Sequence, residues 1–245
     1  MFRVLDSVDS TNNYAMGMVQ DGMANDGDAW FAMDQFAGKG QQGKTWKSRP
    51  GANITMSVAI EPASFFDNQR PLFNMLTASI TANFLSEVLE QKIFVKWPND
   101  LYWNDRKAGG ILIENRFSGT EWKWAVIGIG INVNQTSFPA TLPNPVSLCQ
   151  IKPRNWKPIE LAKTLHRKLL EGLKAEQSVK KILEEYNAVL YKKGQKARLK
   201  LDNASFISTI DGVDVNGNLH THDAIERVFE YGSVEWMISP HSIIF

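Results

Sequence analysis

Glycine and lysine alternate through Gly38-Lys39-Gly40-Gln41-Gln42-Gly43-Lys44-Thr45-Trp46, a segment that brings bare backbone and positive charge to one place. Glycines let the main chain approach a ligand and lysines offset its negative charge, so the segment reads as an anion loop, with a glycine-rich turn carrying solvated lysines as the plainer alternative. Residues 38–45 fit the phosphate-loop pattern GxxxxGK[ST], and the first six of them fit GxGxxG. Both motifs need a helix to begin at the loop, because its N-terminal amides hold the phosphates. Here Pro50 turns Arg49 away from helical geometry and Gly51 adds a second breaker, so both patterns are set aside.

Lys96-Trp97-Pro98-Asn99-Asp100 places a cation, an aromatic ring, a fixed turn and two oxygen-bearing side chains within five residues. The run either caps its own turn or faces a ligand from a strand end. Lys107 precedes Ala108-Gly109-Gly110, where the backbone is bare. In Gly128-Ile129-Gly130-Ile131-Asn132 the glycines fall on one strand face, opening it to a flat ligand or to close packing. Ser10 and Cys149 lack the surroundings of an activated nucleophile, and His166, His220, His222 and His241 suggest neither catalysis nor metal binding.

The elements that must position these residues follow from periodicity. Strands are predicted at 2–8, 29–35, 54–60, 93–96, 110–115 and 124–132, with a hairpin turn at 117–120 joining the last two into a mixed sheet. Capping side chains at 9–12 start a helix, and 71–91 is a helix whose stripe of Phe73, Leu76, Ile80, Phe84 and Val88 covers a sheet. Residues 159–190 hold two amphipathic helices. From residue 192 the period becomes two, and Asn216-Gly217 predicts a two-residue hairpin, so 192–245 reads as a small β-barrel packed on a first domain of residues 1–191.

The chain has 245 residues, 43% of them hydrophobic, enough for a sizeable core. With 27 Lys and Arg against 26 Asp and Glu, the net charge of +1 supplies no general attraction to nucleic acid or anionic lipid. A single cysteine excludes an internal disulfide and suits a reducing cytoplasm, and no apolar window is long enough for a membrane span.

Taken in order, Ser10-Thr11-Asn12, Gln35, the loop at 38–46, KWPND at 96–100, DRKxxGIL at 105–112 and the glycines of 128–134 closely resemble biotin protein ligase, over nearly the whole chain. The resemblance implies an α+β fold: a mixed-sheet catalytic domain of the class II synthetase-like kind, then an SH3-like β-barrel. The implied activity joins biotin to ATP as biotinyl-5'-AMP and passes biotin to one lysine of a biotin carboxyl carrier domain. Biotin, ATP and Mg²⁺ are the implied small-molecule partners, with no tightly bound cofactor.

Carried over by position, Ser10, Thr11, Asn12 and Gln35 would bond the ureido ring of biotin, with Gly110, Gly128 and Gly130 as flat walls. Gly38, Lys39, Gly40 and Gln41 would wrap its carboxyl end. Lys39, Gln41, Gln42, Lys44, Trp46, Asn99 and Asn132 would serve ATP. Lys107, Asp100 and Lys39 are the implied catalytic residues, and Asp100 also the implied Mg²⁺ ligand. Where well-known members carry an arginine-rich loop, this chain has Lys39, Gln41, Gln42 and Lys44, which implies weaker retention of the adenylate. The serine-threonine-asparagine motif falls in the first dozen residues, so the winged helix-turn-helix of repressor members is not expected in front of it. The rival readings are a lipoate or octanoate ligase or transferase of the same fold, whose tandem arginine and triple-glycine loop is absent, and a non-enzymatic nucleotide- or DNA-binding regulator.

Overall fold

A computed structural model describes residues 1–238; His241 and the rest of 239–245 lie outside the described residues. The first sheet comprises β1 (Phe2–Val8), β2 (Ala29–Gln35), β5 (Ile54–Ile60), β6 (Phe94–Lys96), β7 (Asp100–Trp103), β8 (Arg106–Ser118) and β9 (Glu121–Ile131). Between β2 and β5, β3 (Gly38–Lys39) and β4 (Thr45–Trp46) pair with each other as a separate small hairpin. Strand order is β1-β2-β5-β9-β8-β7-β6. Only β1 and β2 run parallel, joined by α1 (Thr11–Gln20), which makes the sheet mixed.

Side chains alternate between faces along each strand, and the two layers divide accordingly. Trp30, Ala59 and Val126 face α1, where Ala15 and Val19 meet them. Their neighbours Phe31, Val58 and Ile127 face the larger core under α2 (Arg70–Leu89), α4 (Pro158–Lys174) and α5 (Val179–Ala188), with α3 (Leu148–Ile151) a single turn before α4. The predicted single stripe on the long helix understates its burial. Besides Phe73, Leu76 and Phe84, α2 buries Leu72, Met75, Leu85 and Leu89, because α4 and α5 pack against it as well as the core of the sheet. Its buried Thr77, Ser79 and Thr81 hydroxyls each donate to the carbonyl four residues back, so no polar group is stranded there.

The remaining strands are β10 (Lys196–Leu201), β11 (Ala204–Val213), β12 (Leu219–His222), β13 (Glu226–Phe229) and β14 (Glu235–Trp236). They form an antiparallel sheet of order β13-β12-β11-β10-β14, consistent with an SH3-like domain. The predicted two-residue hairpin at Asn216-Gly217 is wider. Asp214 and Asn218 close the turn, Asp214 Oδ1 accepts from the amides of both Asn216 and Asn218, and Gly217 supplies φ +83°. This sheet docks on the first through Trp97, whose indole N–H donates to the Gly217 carbonyl at 2.9 Å, and through Asn187, which exchanges bonds with Val213. No helix of the described residues is long and apolar enough to cross a membrane.

Candidate active site

The glycine-rich segment folds as a hairpin, pairing Gly38 with Trp46 and Lys39 with Thr45. At its tip the Gly40 amide donates to the Lys44 carbonyl at 2.6 Å, and Gln42 and Gly43 take φ of +53° and +73°. No helix follows it, so both helix-dependent phosphate motifs are absent in three dimensions as well. The hairpin overhangs a cavity of about 660 Å³ on the α1 face of the sheet. The C-terminal sheet closes one side with Tyr231, Val234 and Trp236, and burial pushes the Tyr231 phenol up to about 12.

One end of the cavity is polar and buried. Ser10 caps α1, which aims Thr11 and Asn12 at the sheet. Gln35 Oε1, at the end of β2, accepts from the Thr11 amide at 2.8 Å and from its hydroxyl at 3.1 Å. Ser57, in the middle of β5, lies 2.8 Å from Thr11 Oγ1 and donates to Asn12 Oδ1 at 2.6 Å. Asn12 Nδ2 in turn donates to Glu114 Oε2 at 2.8 Å. Sequence reasoning missed Ser57 and Glu114, which sit in ordinary strand patterns far from their partners.

The other end is charged. A bulge between Leu101 and Tyr102 sets β7 against β8 so that Lys107 Nζ reaches Asp100 Oδ1 at 2.6 Å, while Lys96 Nζ approaches Asp100 Oδ2 at 3.2 Å. Burial alone would push the Asp100 carboxyl up, but Lys107 and then Lys96 outweigh it and hold the group below the ordinary carboxylate value. Burial pulls Lys96 below the ordinary lysine value even with Asp100 beside it. Lys96 belongs to the quoted KWPND run but was not among the expected catalytic residues. Lys39, on the hairpin, leans toward Glu114 Oε1 at 3.7 Å.

The structure thus gathers Ser10, Thr11, Asn12, Gln35, Lys39, Gly40, Gln41, Gln42, Lys44, Trp46, Asn99, Asp100, Lys107, Gly110, Gly128, Gly130 and Asn132 around one cavity. Gly38 stands behind it, its missing side chain leaving room for Gln35 and the Trp46 carbonyl. The β9 glycines are covered rather than bare: Asn12 presses on Gly128, and a Cβ at Gly130 would stand 2.5 Å from Trp46 Cε2. Asn99 Nδ2 donates to the Ile111 carbonyl, and Asn132 Nδ2 to the Val146 carbonyl at 3.1 Å, so both hold main chain in place. The histidines lie elsewhere: His166 bonds the Gly27 carbonyl, and His220 and His222 pair with Asp214 and Asp211. Among the described residues no cluster of His, Cys, Asp and Glu could hold a metal, and both Asp100 oxygens already face ammonium groups.

This arrangement can hold a molecule that is polar at one end and anionic at the other. Residues 4–132 match the model of the biotin/lipoate A/B protein ligase family. The chain belongs to that family. The bifunctional ligase/repressor BirA of Escherichia coli is 37% identical over 134 residues, 53% of this chain and 40% of the relative. The biotin–[acetyl-CoA-carboxylase] ligase of Paracoccus denitrificans is 33% identical over 132 residues, 53% of each. The chain therefore spans about half the length, or less, of these curated relatives. The fold matches that of the biotin protein ligase from Aquifex aeolicus in complex with biotin and ATP, with TM-score 0.81 over 97% of this chain and 99% of that one at 23% identity.

Trp46 anchors the hairpin on Gly130, but the tip at residues 39–44 carries only glycines, lysines and glutamines and builds no apolar core, so contacts with a ligand should add to its order. Its amides are expected to gain hydrogen-exchange protection when biotin is added. Equal and strong protection with and without biotin would show a preformed loop.

Proposed function

We propose that this chain is a biotin protein ligase that makes biotinyl-5'-AMP from biotin and MgATP and transfers biotin to a lysine of a carboxyl carrier domain. The observation that carries this reading is the presence around one cavity of the buried Thr11–Asn12–Gln35 cluster, backed by Ser57, at one end and the Lys96–Asp100–Lys107 group at the other. The family membership and the biotin ligase names of the relatives support it. Residues 1–191 are proposed as the catalytic domain and 192–245 as the SH3-like domain, in keeping with the two separate sheets. The single cysteine favours a reducing cytoplasm.

In the first step a carboxylate oxygen of biotin attacks the α-phosphorus of ATP. The new C–O–P link forms as the bond to the β-phosphate bridging oxygen breaks, and pyrophosphate leaves. Two anions must approach, and Lys107 and Lys39 would offset their repulsion, with Lys44 serving the nucleotide side. In the second step the neutral amine of the carrier lysine attacks the acyl carbon; the amide bond forms as the acyl C–O bond to the phosphate breaks, AMP departs, and the surplus proton on nitrogen passes to water. Asp100 is a poor proton acceptor here, since two ammonium groups hold its carboxyl in the charged form; its work is to fix Lys107 and Lys96. The occupied Asp100 oxygens do not fit a resident metal ion, so magnesium is assigned to the ATP substrate.

Incubation with biotin, MgATP and a purified biotin carboxyl carrier domain is the test. The expected result is a mass gain of one biotinyl group on one carrier lysine. No gain with folded protein and carrier would overturn the reading.

A further inference from the structure

We infer that Glu114, which does not line the cavity, sets the hydrogen-bond polarity of the ureido end of the site through a directed chain by way of Asn12, Ser57 and Thr11. The inference rests on the reading of the cavity as a biotin site.

A carboxylate at neutral pH only accepts hydrogen bonds. Asn12 must therefore turn its Nδ2 toward Glu114 Oε2, 2.8 Å away, where it also reaches the Leu112 carbonyl at 3.4 Å. Its Oδ1 is then an acceptor, and the one Ser57 proton goes to it across 2.6 Å. Ser57 Oγ meets Thr11 Oγ1, 2.8 Å away, with a lone pair. The Thr11 hydroxyl proton is consequently directed inward, to Ser57 or to Gln35 Oε1, and Thr11 Oγ1 can face the cavity only as an acceptor. Gln35 Oε1 is held by the Thr11 amide, which leaves the Gln35 amide nitrogen as its donor end.

The floor therefore offers an acceptor from Thr11 and a donor from Gln35. A cyclic urea carries N–H groups beside a carbonyl and matches that pattern, whereas a dithiolane ring has neither group. The chain is closed off from rearrangement: Ser57 is fully buried and Asn12 is 3% exposed. Asn12 is also pressed on Gly128, where a side chain would collide with its carboxamide. Without Glu114 the carboxamide loses its charged acceptor and keeps only the 3.4 Å contact with the Leu112 carbonyl, so its orientation, and that of every donor and acceptor after it, is held more weakly.

Glu114 is thus a positioning residue, and the test separates that role from plain structural support. Biotin affinity is measured by calorimetry on the full chain for wild type, Glu114→Ala, Ser57→Ala and the double variant, with the KM for ATP measured alongside. Loss of an orienting bond to a buried polar group predicts a biotin Kd raised about tenfold or more in Glu114→Ala and in Ser57→Ala; the KM for ATP is read in Ser57→Ala, where it should change by less than about twofold, because Glu114 also lies 3.7 Å from Lys39. Glu114 and Ser57 both act through Asn12, so the double variant should be no weaker than the worse single variant, whereas independent structural losses would multiply. Should Glu114→Ala not fold, Ser57→Ala reads the same chain from its other end, with that split between biotin and ATP. A biotin Kd within about twofold of wild type in both single variants, or multiplicative effects in the double, overturns the inference while leaving the ligase reading intact. A folded wild-type protein that binds no biotin overturns both.

Discussion

Lys107→Ala should slow biotin adenylation about 100-fold or more, the usual effect of deleting one charge aimed at developing negative charge. Lys107 is fixed by position and by partner. The bulge at Ala108 of β8 sets it opposite Tyr102, and the 2.6 Å contact with Asp100 holds its Nζ at the cavity wall beside Gly110, where a side chain would crowd both Asp100 and Lys107. Single-turnover formation of the adenylate, followed by quenching and separation of AMP-containing products, reads the effect. A rate equal to wild type in the folded variant would remove Lys107 from the mechanism.

Asp100→Ala should damage both activity and stability. Two ammonium groups now share one carboxylate; without it Lys96 and Lys107 repel each other in a site where burial already disfavours the charge on Lys96. Adenylation should fall by about two orders of magnitude through lost positioning of Lys107. Unfolding free energy at pH 7 should drop by about 1–3 kcal/mol, discounted because the side chains remain partly open to water. The pH dependence has a definite sign. The Asp100 carboxyl is held below its ordinary value of 3.8, so its contribution is present above the unfolded value and is lost as pH falls through the folded one. Urea unfolding of wild type and variant should accordingly differ most near neutrality and converge in acid. An equal difference at pH 7 and at pH 3 would contradict this account, and Asp100→Asn, which keeps the shape, should show the same convergence.

Short strand-forming runs bounded by polar or glycine-rich turns were legible in the sequence: 2–8, 29–35 and 54–60 match β1, β2 and β5 to the residue. The four-residue β7 was not, because Pro98 and the polar pair Asn99-Asp100 read as a turn, and only pairing with both β6 and β8 makes a strand of Asp100–Trp103. The single turn α3 carries a capping box, Ser147 with Gln150, that would have marked it. The extra buried faces of α2 come from helices that pack on it later in the chain, which its own periodicity cannot announce.

The site divides in the same way. Residues in dense local motifs, such as Lys96 to Asp100 and the hairpin, stand out by type and spacing. Ser57 and Glu114 do not, since each is one polar residue on a strand, and their importance lies in bonds to Asn12 that span 45 and 102 residues. The glycines of β9 were legible as a bare face, but the groups that fill that face, Asn12 and Trp46, are brought there only by the tertiary fold.

Exchange of labelled pyrophosphate into ATP tests the central claim most directly, because it needs only an acid that the site accepts, MgATP and this chain. Biotin should support exchange and lipoate should not, since the cavity pairs a hydrogen-bonding floor with a cationic end. Exchange driven by lipoate and not by biotin, or none with either acid in folded protein, would contradict the account.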